Sequence, residues 1–80
     1  MTDELKSANS VKTGKKFAER RNEIGLTIDK VSEILFVNKD YLIAIEKGNY
    51  SIFPSESFAK AYFKKYKKFL NISPEFPDLF

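Results

Sequence analysis

Eighty residues, 42% of them apolar and 15% aromatic, allow one domain with one small core, near the lower size limit for folding without staples. There is no cysteine and no histidine, which excludes disulfides, thiolate metal sites and the commonest metal ligand and general base. The formal charge of +3 is unevenly placed: residues 56–70 hold five lysines against Glu56, whereas residues 1–53 hold nine basic and eight acidic side chains. A concentrated basic patch suits phosphate backbones, anionic lipid or an acidic protein face, and the plain alternative is a solvated helix face.

No window approaches the roughly 18 apolar residues of a membrane span, and Met1–Lys12 lacks the apolar centre of a signal peptide. A soluble, cytoplasmic domain is therefore the expectation. Residues 1–12 are polar and without periodicity, which reads as a flexible N-terminal arm, with the folded domain spanning residues 13–80. Thr13 offers an N-cap, and Phe17, Arg21 and Ile24 continue one apolar-sided helix to a stop at Gly25.

Thr27 is the next capping residue, with Asp29 in the first turn and Ile28, Val31 and Leu35 at helical spacing. Phe36-Val37 makes a short connection, and Asn38 caps a third helix in which Tyr41, Leu42 and Ile45 face inward and Gly48 ends it. A loop from Asn49 to Phe53 leads to Pro54, after which Ser55 caps a fourth helix that Asn71 closes. Ser73-Pro74-Glu75 has the pattern of a brief fifth helix, limited by Pro77. The expected fold is all-α: a compact helix-turn-helix bundle of about five short helices, of the lambda-repressor-like kind.

The fourth helix carries Phe58, Tyr62, Phe63, Tyr66 and Phe69 among its five lysines. With Phe58 as origin, Phe69 lies at about 20°, Tyr62 at about 40°, Tyr66 at about 80°, Ala59 at about 100°, Leu70 at about 120° and Phe63 at about 140°. Ala59, Phe63, Tyr66 and Leu70 suffice as an edge that docks on the core. Phe58, Tyr62 and Phe69 then fall on the other edge, beside Lys65, where exposed aromatics ringed by lysine would form a protein-binding hot spot. Core use of the whole stripe is the commoner fate of such a pattern.

The third helix offers a weaker DNA reading. Its outward positions include Asn38, Lys39, Asp40, Ile43 and Lys47. Asn38 can read adenine and Lys39 can reach phosphate or guanine, but Asp40 repels the backbone and Ile43 is apolar where a polar reader is wanted. Lys15, Lys16, Arg20 and Arg21 on the first helix could reach phosphates. Arg21 has a more internal use, as the ion-pair partner of Glu46. Catalysis has little to build on: Asp29 and Glu33 share a helix face as a solvated pair, and neither an enzyme, a metal nor a cofactor is expected.

The run DYLIAIEKGNYSIFP followed by FAKAYFKKYKKFLNISPE, together with Leu26-Thr27 and the Val31 helix, resembles the cytoplasmic domain of RodZ-type bacterial cell-shape proteins. The resemblance covers about residues 13–76. The helix-turn-helix half alone looks equally like Xre or phage-repressor-type regulators, and the aromatic-basic fourth helix narrows it. The resemblance implies a domain that docks on the actin-like filament protein MreB and couples it to the membrane through a following transmembrane helix. It also implies that Phe58 and Tyr62 anchor that contact, with Lys64, Lys65 and Lys68 as charge contacts to an acidic filament face. The family usually carries arginine where Lys60 and Lys64 stand, glycine at Ala61, a small residue at Arg20 and alanine at Ser32. Lysine gives up the bidentate geometry of arginine. The alternative function is a DNA-binding transcriptional regulator that reads with Asn38, Lys39, Ile43 and Lys47. A lesser option is contact of the fourth-helix lysines with anionic lipid.

Overall fold

The computed structural model describes residues 6–77, and among them four helices form: α1 (Ala8–Glu23), α2 (Ile28–Leu35), α3 (Lys39–Lys47) and α4 (Glu56–Leu70). An isolated bridge between Lys6 and Asn49 is the sole extended pairing among the described residues. Each helix begins on a side-chain oxygen that accepts from a backbone N–H of the first turn: Ser7, Thr27, Asn38 and Ser55. Each ends on one residue in the left-handed region, with paired 6→1 and 5→2 backbone bonds closing α1, α3 and α4, and with both the Phe36 and Val37 N–H groups donating to the Ser32 carbonyl at the end of α2. Gly25, Gly48 and Asn71 fill three of these positions, which glycine and asparagine tolerate, and Phe36 fills the fourth.

Three expectations are corrected. α1 starts at Ala8 on Ser7, not at Thr13, because Ser7 and Ser10 form a reciprocal capping box: the Ser10 N–H donates to Ser7 Oγ at 3.1 Å and the Ser7 N–H to Ser10 Oγ at 2.8 Å. Residues 8–12 of the expected arm are therefore helical, while Met1–Leu5 lie outside the described residues. The fifth helix does not form. Residues 72–77 run without helical structure back across α4, with Pro77 buried and Phe76 set edge-on against Phe63 at 5.1 Å. Lys67 Nζ donates to the Pro74 carbonyl at 3.1 Å, and two prolines three residues apart deny a helix its backbone donors. Ile24, expected on the inward side of α1, is 40% exposed because the helix has already ended there.

The core joins Phe17, Val31, Leu42, Ile45, Phe63 and Tyr66 with the loop residues Tyr50 and Phe53. α1 and α3 cross so closely that small residues form the contact. A Cβ on Gly14 would fall 2.3 Å from the Glu46 carbonyl oxygen and 2.5 Å from that of Ile45. One turn earlier, the buried Ser10 hydroxyl donates to the Gly48 carbonyl at 2.7 Å. This is why the first half of α1 shows no apolar periodicity: backbone approach replaces apolar side chains as the packing element. Gly14→Ala is expected to cost about 2–3 kcal/mol of stability through overpacking against backbone, measured by urea unfolding.

The α2–α3 turn is held from both sides. Val37 is buried, its N–H donates to the Ser32 carbonyl at 3.2 Å, and the Ser32 hydroxyl donates to the Val37 carbonyl at 2.5 Å. That clamp keeps Phe36 at φ 55°, with its ring 93% exposed. The conformation costs a residue bearing a Cβ about 1 kcal/mol, and no burial inside the chain offsets it. Phe36→Gly in dilute solution should therefore raise stability by about 0.5–1 kcal/mol, or roughly 4 °C in Tm, as followed by thermal melting.

Candidate functional site

α4 is fixed to the bundle by one edge. Ala59, Phe63, Tyr66 and Leu70 are all buried, with Phe17 packed against Phe63 at 5.0 Å and against Tyr66 at 5.1 Å. Its rotation is set by a polar clasp at the centre of the bundle. Arg21 Nε donates to Glu46 Oε2 at 2.7 Å and its Nη2 to Oε1 at 3.1 Å, while the Tyr66 hydroxyl donates to the same Oε2. Arg21 Nη1 also donates to the Leu26 carbonyl at 2.8 Å. The pair is largely removed from solvent, with side chains 15% and 10% exposed. Hydrogen bonding to Glu46 raises the Arg21 pKa further, and burial, reinforced by Glu46, raises that of Tyr66 well above the phenolic range.

With that edge fixed, Phe58 and Tyr62 land half-buried on the rim between α3 and α4. Tyr41 of α3 stacks on Tyr62 at 5.0 Å and on Phe53 at 4.9 Å, and Phe58 lies 5.4 Å from Tyr41 and 4.8 Å from Tyr62. The result is an aromatic ledge: Phe53 is its buried floor, and Tyr41, Phe58 and Tyr62 each keep part of their surface in water. Tyr41 was expected to face inward, and its place as part of this rim was not legible in α4's own periodicity. Phe69, expected on the same edge, is also half-buried.

The five lysines divide in two. Lys60 pairs with Glu56 at 3.1 Å and lies over the Phe76 ring, and Lys67 binds the Pro74 carbonyl and lies over Phe63. These two flank the C-terminal segment and belong to the packing. Lys64, Lys65 and Lys68 are exposed and have no ion pair among the described residues. On the helical wheel they span about 240° to 340°, adjoining Phe58 at the origin and separated by only Ser57 and Ala61. The ledge is therefore bordered by an unneutralised basic face.

The outer face of α3 is furnished differently. Asn38 Oδ1 is occupied by the Asp40 N–H at 2.8 Å, Lys39 Nζ lies 3.4 Å from Asp29, and Ile43 is half-buried. Arg20, considered for phosphate contact, instead donates from Nε to the Leu70 carbonyl at 2.9 Å, where its charge also suits the C-terminal end of α4's dipole. Arg21 is committed to Glu46. Lys15, Lys16 and Lys47 remain exposed.

Residues 16–76 match the family described as a helix-turn-helix domain, which is more than half of the chain. The chain belongs to that family. No curated protein and no solved structure matches it. In this helix-turn-helix domain α2 and α3 are the motif's two helices, Phe36–Asn38 is its turn, and α4 with the trailing segment completes the matched region. Among the described residues no helix is long and apolar enough to cross a membrane.

Tyr66 and Tyr50 give the domain an alkaline limit. Both are fully buried, and Tyr50's hydroxyl has no hydrogen-bond partner among the described residues, so burial raises its pKa far above 10.0. A group whose folded pKa is raised above its unfolded value contributes stability that is present below the unfolded value and is lost as pH climbs past it. Folding should therefore weaken above about pH 10, by about tenfold in equilibrium constant per pH unit for each tyrosine. Tyr50→Phe should remove one of the two contributions and, by deleting an unsatisfied buried hydroxyl, leave stability at neutral pH equal or higher. Urea unfolding across pH 8–11.5, about the span that brackets the phenolic pKa, reads both effects.

Proposed function

We propose that this domain is a protein-docking module that binds the bacterial actin-like filament protein MreB through the aromatic ledge and basic face of α4, in the manner of RodZ-type cell-shape proteins, and serves to couple the filament to the membrane. The observation that carries the reading is the coincidence on one side of α4 of partly buried Phe58 and Tyr62 with exposed Lys64, Lys65 and Lys68, none of these lysines neutralised by an ion pair among the described residues. Half-buried aromatics are already positioned by Tyr41 and Phe53, so little side-chain entropy is lost when a partner covers them. The adjoining lysines favour an acidic partner surface and speed encounter with it.

A DNA-reading role is less well supplied. A reader helix needs free polar side chains at its N-terminal end. Here Asn38 caps its own helix, Lys39 is paired with Asp29, and Asp40 would face phosphate. A mobility-shift titration at low salt, with Asn38 and Lys39 replaced, separates the two readings by whether α3 matters to any complex formed.

Co-sedimentation with MreB filaments tests the docking reading. Phe58→Ala with Tyr62→Ala should weaken binding by about thirtyfold or more, as removal of two hot-spot side chains does. That variant also loses stacking on Tyr41, so a second one leaves the core alone: Lys64→Glu, Lys65→Glu and Lys68→Glu together, at exposed positions. It should lose binding at unchanged melting temperature, and full binding by both variants refutes the α4 site.

A further inference from the structure

We propose that the domain pairs with a second copy of itself across the outer face of α3, Phe36 of each copy seating against Ile52 of the other. This goes beyond the docking reading and rests on a different surface. A groove of about 430 Å³ runs along α3, lined by Asp40, Tyr41, Ile43, Ala44 and Lys47 and continued by Ile52, which is 51% exposed. Phe36, at 93% exposure, is the left-handed residue that closes α2, two residues before Asn38 at the groove's end. A protruding aromatic thus sits in the turn that leads into one end of the groove.

Their order along the chain is self-complementary. Asp40, Ile43 and Lys47, three and four residues apart, form a single stripe on α3, with Phe36 before it in the α2–α3 turn and Ile52 beyond the end of α3. Read along the chain, the series is apolar, acidic, apolar, basic, apolar. A two-fold axis perpendicular to α3 near Ile43 reverses that series onto itself. Phe36 then faces Ile52, Asp40 faces Lys47, and Ile43 meets its own copy. Such an isologous contact closes at two subunits. It also sets the two α3 macrodipoles antiparallel, with each acidic end beside a basic end.

The charges choose this occupant over the alternatives. Nucleic acid would meet Asp40 in the middle of its contact, and a uniformly acidic protein face would meet it as well. A second copy supplies Lys47 to Asp40 and Asp40 to Lys47. The left-handed backbone at Phe36 adds a second argument. Within one chain it is strain without burial, held by the Ser32–Val37 clamp, and a contact between copies would use the ring it presents.

Sedimentation equilibrium of the 80-residue chain from about 10 µM to about 1 mM tests this, the range that suits a small interface. A monomer–dimer equilibrium is expected, with a dissociation constant of order 100 µM. Phe36→Gly should weaken pairing at least tenfold while stabilising the monomer, so that loss of the dimer cannot be loss of the fold. Asp40→Lys and Lys47→Asp should each weaken pairing, and the two combined should restore it. The triple lysine reversal on α4 should leave it unchanged, which keeps this outcome separate from filament binding. A monomer throughout the range, pairing indifferent to Phe36→Gly, or a charge swap that fails to restore pairing overturns the proposal. So does a monomeric chain whose filament or DNA binding is lost on Ile52→Asp, since the groove then belongs to that partner.

Discussion

A single carboxylate sets the geometry on which both surfaces depend. Glu46 is gripped by the Arg21 guanidinium from α1 and by the Tyr66 hydroxyl from α4, so three helices meet at one side chain. Replacing such a cluster by apolar residues need not reduce stability, because desolvation of the charges offsets much of their attraction. Its contribution here is rotational. With Leu42 and Ile45 buried, the 100° step of the helix turns Asp40, Ile43 and Lys47 outward and leaves Glu46 and Tyr41 on the two flanks of the buried face. With Tyr66 turned inward, Phe58 and Tyr62 come to the rim and Lys64, Lys65 and Lys68 beyond it. The close passage of Gly14 over the Ile45 and Glu46 carbonyls sets the remaining degree of freedom, the distance between α1 and α3.

Much of this was legible because it is local. Thr27, Asn38 and Ser55 as starts, and Gly25, Gly48 and Asn71 as stops, are positions where backbone chemistry restricts the residue type, so the residues mark them directly. The docking edge of α4 followed from angular arithmetic alone. What was missed depends on distant partners. The start of α1 was misplaced because Ser10 reads as part of a polar arm and Thr13 as a cap until α3 lies against them. The C-terminal turn looked helical because Ser-Pro-Glu is a good start, but Phe76 and Pro77 are held by α4 and the core instead. Phe36 in a left-handed turn could not have been foreseen from propensity, which disfavours it; a signal lay in Ser32, whose hydroxyl closes the turn.

The division of the lysines shows the same limit on the functional side. Five lysines on one helix look equivalent in sequence, and the wheel separates them only into arcs. Lys60 and Lys67 turn out to be packing residues because the trailing segment passes beside them, offering the Pro74 carbonyl to Lys67 and the Phe76 ring to Lys60. The three that remain for a partner are those nearest Phe58. A basic, aromatic face of this composition therefore exists only because residues 72–77 fold back along the other side of α4.

Tyr41 is where the two surfaces meet. Its ring is part of the α4 ledge and also lines the α3 groove. A second copy seated in the groove would cover part of Tyr41 and leave Phe58 and Tyr62, which Tyr41 and Phe53 already position, open to a partner. Two ledges carried on one dimer would also meet a repeating filament as a bivalent ligand, where a weak contact gains from the effective concentration of its neighbour. The strained turn at Phe36 would then serve the assembly: its cost falls on the free chain, and its ring acts where two copies touch.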